Sequence, residues 1–166
     1  MTGPRIGRGK SMDSDKDPYL SKSAPENMAV CAGCGAVYHN KRWTHREDAA
    51  AAAAPAATKA AVLCPACQKI RDKYAQGFVT LQGAFVKDHK EELLNLVRNK
   101  ETLSSHTNPL ERIMEIKESR DAIEITTTSD KLAQRIGRVV AKAFSGEVEY
   151  KWSDDVKLTR VIWTRN

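Results

Sequence analysis

Cys31-Ala32-Gly33-Cys34-Gly35 and Cys64-Pro65-Ala66-Cys67 hold all four cysteines of the chain, as two Cys-x-x-Cys pairs. A structural zinc site takes four soft donors at tetrahedral corners, and paired cysteines on tight turns supply them. Gly33 and Gly35 give the first turn access to left-handed backbone, which turns its amides toward the sulfurs. Pro65 fixes φ in the second turn. The pattern predicts one Zn²⁺ held by Cys31, Cys34, Cys64 and Cys67. Four protein ligands close the coordination shell, so metal catalysis is not expected.

The same four residues have other readings. Disulfides need an oxidising compartment, and residues 1–27 contain no apolar run of the kind that forms a secretory h-region. A thioredoxin-like redox pair accounts for only one of the two motifs. Rubredoxin-type iron sites usually have Gly after each pair, and here Gln68 follows the second. His39 and His45 stand by as reserve ligands, needed only if a cysteine is not bound.

Working outward, residues 1–27 are rich in Gly, Ser, Asp, Lys and Pro, which predicts a disordered tail. Arg5, Arg8 and Lys10 make part of it cationic. Residues 28–77 are expected to form the zinc module. Val37, Tyr38 and Trp43 suggest a short hairpin after the first pair. An alanine-rich insert spanning 49–60 separates the pairs, and reads equally as a surface helix or a low-complexity loop. Gln68 to Tyr74 reads as a helix stopped near Gly77. A knuckle, a hairpin and a second pair opening a helix is the order of a treble-clef zinc finger. Lys69 and Arg71 are the cations expected to offset the charge of four thiolates.

Residues 78–166 read as an α+β domain in the order β-α-β-β-α-β-β. The elements are Phe78 to Leu81, a helix from Phe85 to Arg98, strands Arg112 to Lys117 and Ala122 to Thr128, a helix from Ser129 to Phe144, and a hairpin of Glu147 to Trp152 with Lys157 to Thr164. In the strand Ala122 to Thr128, Ile123, Ile125 and Thr127 share one face. Thr128 or Ser129 caps the following helix, and Gly146 suits its end. The fold class is therefore α+β: a small treble-clef-like zinc module followed by a mostly antiparallel α/β sandwich with helices on one face. Ser104, Ser105, His106 and Asn108 are assigned to a polar loop before Pro109. No phosphate loop or dinucleotide motif is present, and no catalytic residue is expected.

The second informative pattern lies in the helix Ser129 to Phe144. Leu132, Ile136, Val139, Val140, Ala143 and Phe144 make an apolar face. Lys131, Arg135, Arg138 and Lys142 recur opposite it, within about 60° of one another at ~100° per residue. No Asp or Glu lies between Lys131 and Lys142, so local pairing does not neutralise the row. Aligned cations of this kind suit successive phosphates of an RNA backbone. The 166-residue chain carries 27 Lys+Arg against 21 Asp+Glu, a net charge of +6, which fits such a partner. Glu124, Glu147 and Glu149 are expected on the outer sheet face, which argues against RNA lying there. Trp152 and Trp163 are stacking candidates or core residues. No stretch is apolar enough for a membrane span, so a cytoplasmic location is expected.

The segments Ile123-Glu124-Ile125-Thr126-Thr127-Thr128, Leu132-Ala133-Gln134-Arg135-Ile136-Gly137, Ala143-Phe144-Ser145-Gly146 and Arg160-Val161-Ile162-Trp163 resemble a group of short bacterial zinc-binding proteins. The resemblance runs from Cys31 to the C-terminus, excluding the alanine insert. That group is similar in plan to the N-terminal part of the archaeal and eukaryotic adaptor for large-ribosomal-subunit maturation and export. The resemblance implies association with RNA or a ribosomal subunit, and carries over no catalytic residue. The alternative is a protein–protein adaptor whose zinc module docks a partner without nucleic acid.

Overall fold

The computed structural model describes residues 17–20, 25, 28–47, 62–153 and 155–166. The alanine-rich insert and most of the N-terminal tail lie outside these residues.

After the first cysteine pair, β1 (Val37–His39) and β2 (Arg42–Thr44) form an antiparallel hairpin with Tyr38 opposite Trp43. The two-residue turn places Asn40 and Lys41 at φ 50° and 63°, the geometry that follows the right-handed twist of paired strands. Helix α1 (Pro65–Asp72) begins inside the second pair, with Cys64 as N-cap and Pro65 at its first position, where a missing N–H costs nothing. It ends at Lys73, in the left-handed conformation at φ 54°, and not near Gly77. Gly77 instead opens β3 (Gly77–Gln82), where an added Cβ would lie 2.6 Å from that of Ala133.

The rest of the chain follows the expected order, with two differences. The helix anticipated from Phe85 to Arg98 breaks at His89 into α2 (Ala84–Asp88) and α3 (Lys90–Thr107). The second of these runs nine residues past Arg98 and takes in Ser104, Ser105 and His106, assigned to a loop from sequence. The hydroxyls there are satisfied along the helix: Thr102 donates to the Arg98 carbonyl at 3.0 Å and Ser105 to that of Thr102 at 3.1 Å. Then come β4 (Ile113–Glu118), β5 (Ala122–Thr127), α4 (Asp130–Phe144), β6 (Glu147–Trp152) and β7 (Thr159–Thr164). Ser129 caps α4, accepting from the Leu132 amide, and Ser145 and Gly146 both turn to positive φ beyond its end.

The five-strand sheet has the order β4-β5-β3-β7-β6. Three pairings are antiparallel, and β3 with β7 is parallel. Their registers line up side chains across all five strands. Ile116, Ile125, Val79, Val161 and Tyr150 form one row on the helix-covered face, and Ile123, Leu81, Trp163 and Val148 form the next. Leu132, Ile136 and Val140 of α4 pack on these rows, with Leu93 and Val97 of α3 in the same buried cluster. Gly137 lets α4 settle onto the sheet, since a Cβ there would stand 2.5 Å from Val161 Cγ1. Glu124, Glu147 and Glu149 fall on the opposite face, where the sequence pattern put them. Of the two tryptophans in question, Trp163 is wholly buried and Trp152 is 61% exposed.

A second cluster, of Cys31, Ala36, Cys64 and Ala66, packs with Trp43, Leu63, Cys67 and Leu110. The two clusters are tied together by a buried ammonium. Lys69 Nζ of α1 donates to Asp17 Oδ2 at 2.8 Å, Gln76 Oε1 at 3.0 Å and the Thr128 carbonyl at 3.2 Å. Asp17 and Tyr19 thus belong to the folded part, contrary to the expectation for residues 1–27, and the Tyr19 ring lies 5.0 Å from that of Tyr74. Burial pushes the Asp17 carboxyl up, but the Lys69 ammonium outweighs it and holds it below its ordinary value.

Removing one partner of a buried pair strands the other charge. Asp17→Ala is expected to destabilise the protein by about 3 kcal/mol in urea unfolding. Adding Lys69→Met should recover most of that loss, because no uncompensated charge then remains buried.

Candidate functional site

The four cysteines meet. Their sulfurs all lie within 4.8 Å of one another, and none is in a disulfide. Cys34 Sγ and Cys64 Sγ are 3.7 Å apart. A tetrahedral ion with zinc–sulfur bonds of about 2.3 Å holds its sulfurs ~3.8 Å apart, so the cluster fits such an ion. Neither His39 nor His45 belongs to the group. His45 instead bonds the Ser105 carbonyl through Nε2 and stacks near His106.

Local structure accounts for the convergence. Cys31 and Cys34 sit on a turn closed by the Gly35 amide donating to the Cys31 carbonyl at 2.9 Å. Gly35 has φ 76°, as the turn predicts, but the left-handed region is not what Gly33 supplies. Gly33 is needed for space: a Cβ there would lie 2.7 Å from Cys67 Sγ. The Cys64 amide donates to Cys31 Sγ at 3.2 Å and the Cys67 amide to Cys64 Sγ at 3.4 Å. These bonds favour thiolates at the start of α1, where the helix dipole adds to them.

The thiols do not share charge equally. Burial pushes Cys31 up, but the amides of Cys64, Cys34 and Gly33 outweigh it and bring the thiol down to about 6. Burial, reinforced by the neighbouring sulfurs, drives Cys64 well above the ordinary thiol range. Burial and Cys31 raise Cys34 as well. Without a cation the cluster therefore carries one ready thiolate beside thiols that resist ionising. A divalent metal removes that conflict by neutralising the charges as they form.

The counter-charge comes from an unexpected residue. Lys69 is committed to Asp17, Gln76 and Thr128, and Arg71 to the exposed Asp72. Neither bonds a sulfur, because each is taken up by these other acceptors. Arg112, just before β4, donates from Nη2 to Cys67 Sγ at 2.9 Å. Its guanidinium is half-buried; burial alone would lower its pKa, but the Cys67 bond and the other sulfurs raise it. Its only sequence signal is a single Arg, 45 residues from its partner.

The basic row of α4 is partly as expected. Lys131, Arg138 and Lys142 are exposed, and no ion pair among the described residues includes them. Arg135 differs: its Nη1 is paired with Glu111 Oε2, a carboxylate buried to 5% exposure. No acid lies on the helix between Lys131 and Lys142, but the loop after α3 supplies one. Among the described residues no helix is long and apolar enough to cross a membrane. Comparison with known protein families, with curated proteins and with solved structures finds no match.

Two outcomes check the site. Arg112→Ala should weaken zinc binding about 10-fold or more, the usual effect of losing a group bonded to a metal ligand, read by chelator competition. Zinc uptake at pH 7.5 should release at least the protons of Cys34 and Cys64, with little from Cys31. Calorimetry in buffers of different ionisation enthalpy measures this. The sign follows: zinc affinity rises with pH through neutrality, and drops further as pH falls through about 6, where Cys31 also takes up a proton.

Proposed function

We propose that this is a zinc-binding protein associated with RNA or with a ribosomal subunit, in which the metal has a structural role and α4 contacts phosphate. The observation that carries the reading is the set Lys131, Arg138 and Lys142. They lie exposed on one side of a helix whose other side buries Leu132, Ile136 and Val140. Arg135, held by Glu111, is a positioning cation in this reading, and three side chains remain for phosphate.

Cys31, Cys34, Cys64 and Cys67 would hold Zn²⁺. The ion supplies folding free energy on the order of 10 kcal/mol and no catalytic step. The module 28–77, with its hairpin and its second pair opening α1, is read as treble-clef-like. The unit 78–166 is read as an α/β sandwich with its own apolar cluster. Elemental analysis of reduced protein should give one zinc per chain. Resemblance to the short bacterial zinc-binding proteins, and through them to the ribosomal-subunit adaptor, supports the same partner, a cytoplasmic location and the absence of an enzymatic role.

A protein–protein adaptor is the second reading. It is favoured by a cleft of about 800 Å³ beside the zinc hairpin, lined by Tyr38, Trp43, Leu63, Pro65 and Leu110.

The test is charge reversal. Lys131→Glu, Arg138→Glu and Lys142→Glu together should abolish co-sedimentation with ribosomal subunits and leave the thermal transition in place, since all three are exposed. Binding of the parent should fall linearly in log affinity against log salt, with a slope of roughly −2 to −3 for three phosphate contacts. Undiminished association of the triple variant would put the adaptor reading first.

A further inference from the structure

Trp152 is a large apolar ring left 61% exposed on the edge strand β6. It does not stand alone. The Tyr150 ring lies 5.9 Å from it with planes 16° apart, so the two are stacked. Tyr150 is itself fixed from beneath α4: its hydroxyl lies 3.3 Å from the position a Cβ on Gly137 would take. Stacking on a fixed neighbour holds the indole in one orientation without burying its outer face.

Both rings point to the helix-covered side of the sheet, since Tyr150 pairs with Val161 and Trp152 with Thr159. That places them beside the basic row. Gln134 Nε2 donates to the Thr159 hydroxyl at 3.4 Å, and Arg138 Nη2 donates to Gln134 Oε1 at 3.5 Å. Burial raises the Tyr150 hydroxyl, and the nearby Arg138 charge opposes it. The acids of β6, Glu147 and Glu149, point to the opposite face. An exposed aromatic plane, backed by Tyr150, thus lies on the same side of the sheet as Arg138, which is in no ion pair among the described residues. Unpaired nucleobases offer π-faces to the one while their phosphates meet the other. An acidic protein surface would answer the cations equally well, but single-stranded RNA answers both the cations and the ring with one repeating unit.

We propose that Trp152, backed by Tyr150, is a base-stacking platform for single-stranded RNA whose phosphates run along Lys131, Arg138 and Lys142. This deepens the RNA-binding reading and rests on it. Trp163, fully buried, and Trp43, packed against the cysteine cluster, are not part of the platform.

The experiment titrates the full-length zinc-loaded protein with a short oligouridylate and with a duplex RNA. Trp152→Ala should weaken oligouridylate binding roughly 5- to 150-fold, the loss of one stacked base. Its salt slope should be unchanged, because no cation is removed. Trp152→Phe should retain most of the affinity while abolishing ligand-induced fluorescence quenching. Duplex RNA, with its bases already stacked, should bind Trp152→Ala and the parent alike. Circular dichroism of the variants checks that the sheet is intact. If the parent binds oligouridylate and loses it on α4 charge reversal, but Trp152→Ala binds as well as the parent, the platform is overturned and the phosphate row stands. If the parent binds neither RNA at low salt, the RNA-binding reading falls and the platform with it. Self-association of the parent that Trp152→Ala dissolves, with RNA binding unaltered, would assign the ring to a protein contact and overturn the proposal.

Discussion

Four sulfurs confined within 4.8 Å of one another cannot all carry charge without a cation among them. That repulsion organises the N-terminal half of the molecule. It explains why Cys31 is surrounded by amide donors while Cys64 is driven the other way by burial and its neighbours. The glycine at 33 has a steric reason instead, since any side chain there would occupy the space of Cys67 Sγ. The hairpin β1-β2 is short, and the cluster beneath it has few large apolar side chains. A module so constituted has little apolar burial of its own, and a metal on its four sulfurs would add the folding free energy that burial does not supply.

The influence of the cluster reaches the sheet through two cations with different roles. Arg112 stands at the start of β4 and bonds Cys67, so the position of an edge strand is linked to the charge of the metal site. Lys69 points the other way from α1 and gathers Asp17, Gln76 and the Thr128 carbonyl. Gln76 and Thr128 flank β3 and β5 in the middle of the sheet. Both sets of contacts fall at the end of the sheet nearest the α4 N-terminus, where the Arg112 amide also donates to the Thr128 hydroxyl. Two apolar clusters can be separate cores and still have their relative positions set by polar contacts, because a buried ammonium tolerates little displacement from its acceptors.

What was legible in the sequence was local. The cysteine pairs, the alternation of Ile123, Ile125 and Thr127, and the long apolar face of α4 with Ser129 before it are all patterns within a dozen or so residues. The hairpin Glu147 to Trp152 with its partner strand was readable for the same reason. What was missed depends on contacts between distant segments. The parallel pairing of β3 with β7 joins residues some eighty apart, such as Val79 and Val161. Helix α3 runs past Arg98 to Thr107 because Ser104 is buried and the hydroxyls bond back along the helix, although Ser and Thr favour loops in isolation. Arg112 reads in the sequence only as the first residue of a strand, and nothing there singles out Glu111. Only the fold gives one to a thiolate and the other to Arg135.

Glu111 shows how a stripe read from helical periodicity differs from a stripe in a protein. Periodicity states which side chains share a face, and says nothing of what other elements bring to it. Arg135 lies toward the α3 side of the row, where Glu111 meets it, and Arg138 toward the β6 side, where Gln134, Thr159 and the aromatic pair lie. The row is thereby divided into a cation that secures the loop after α3 and cations that remain available. Lys131, Arg138 and Lys142 stay exposed, and of these Arg138 reaches Gln134 on the β6 side. A buried carboxylate in a neighbouring loop thus decides which cation of a helical row is taken up, and helical periodicity alone cannot show it.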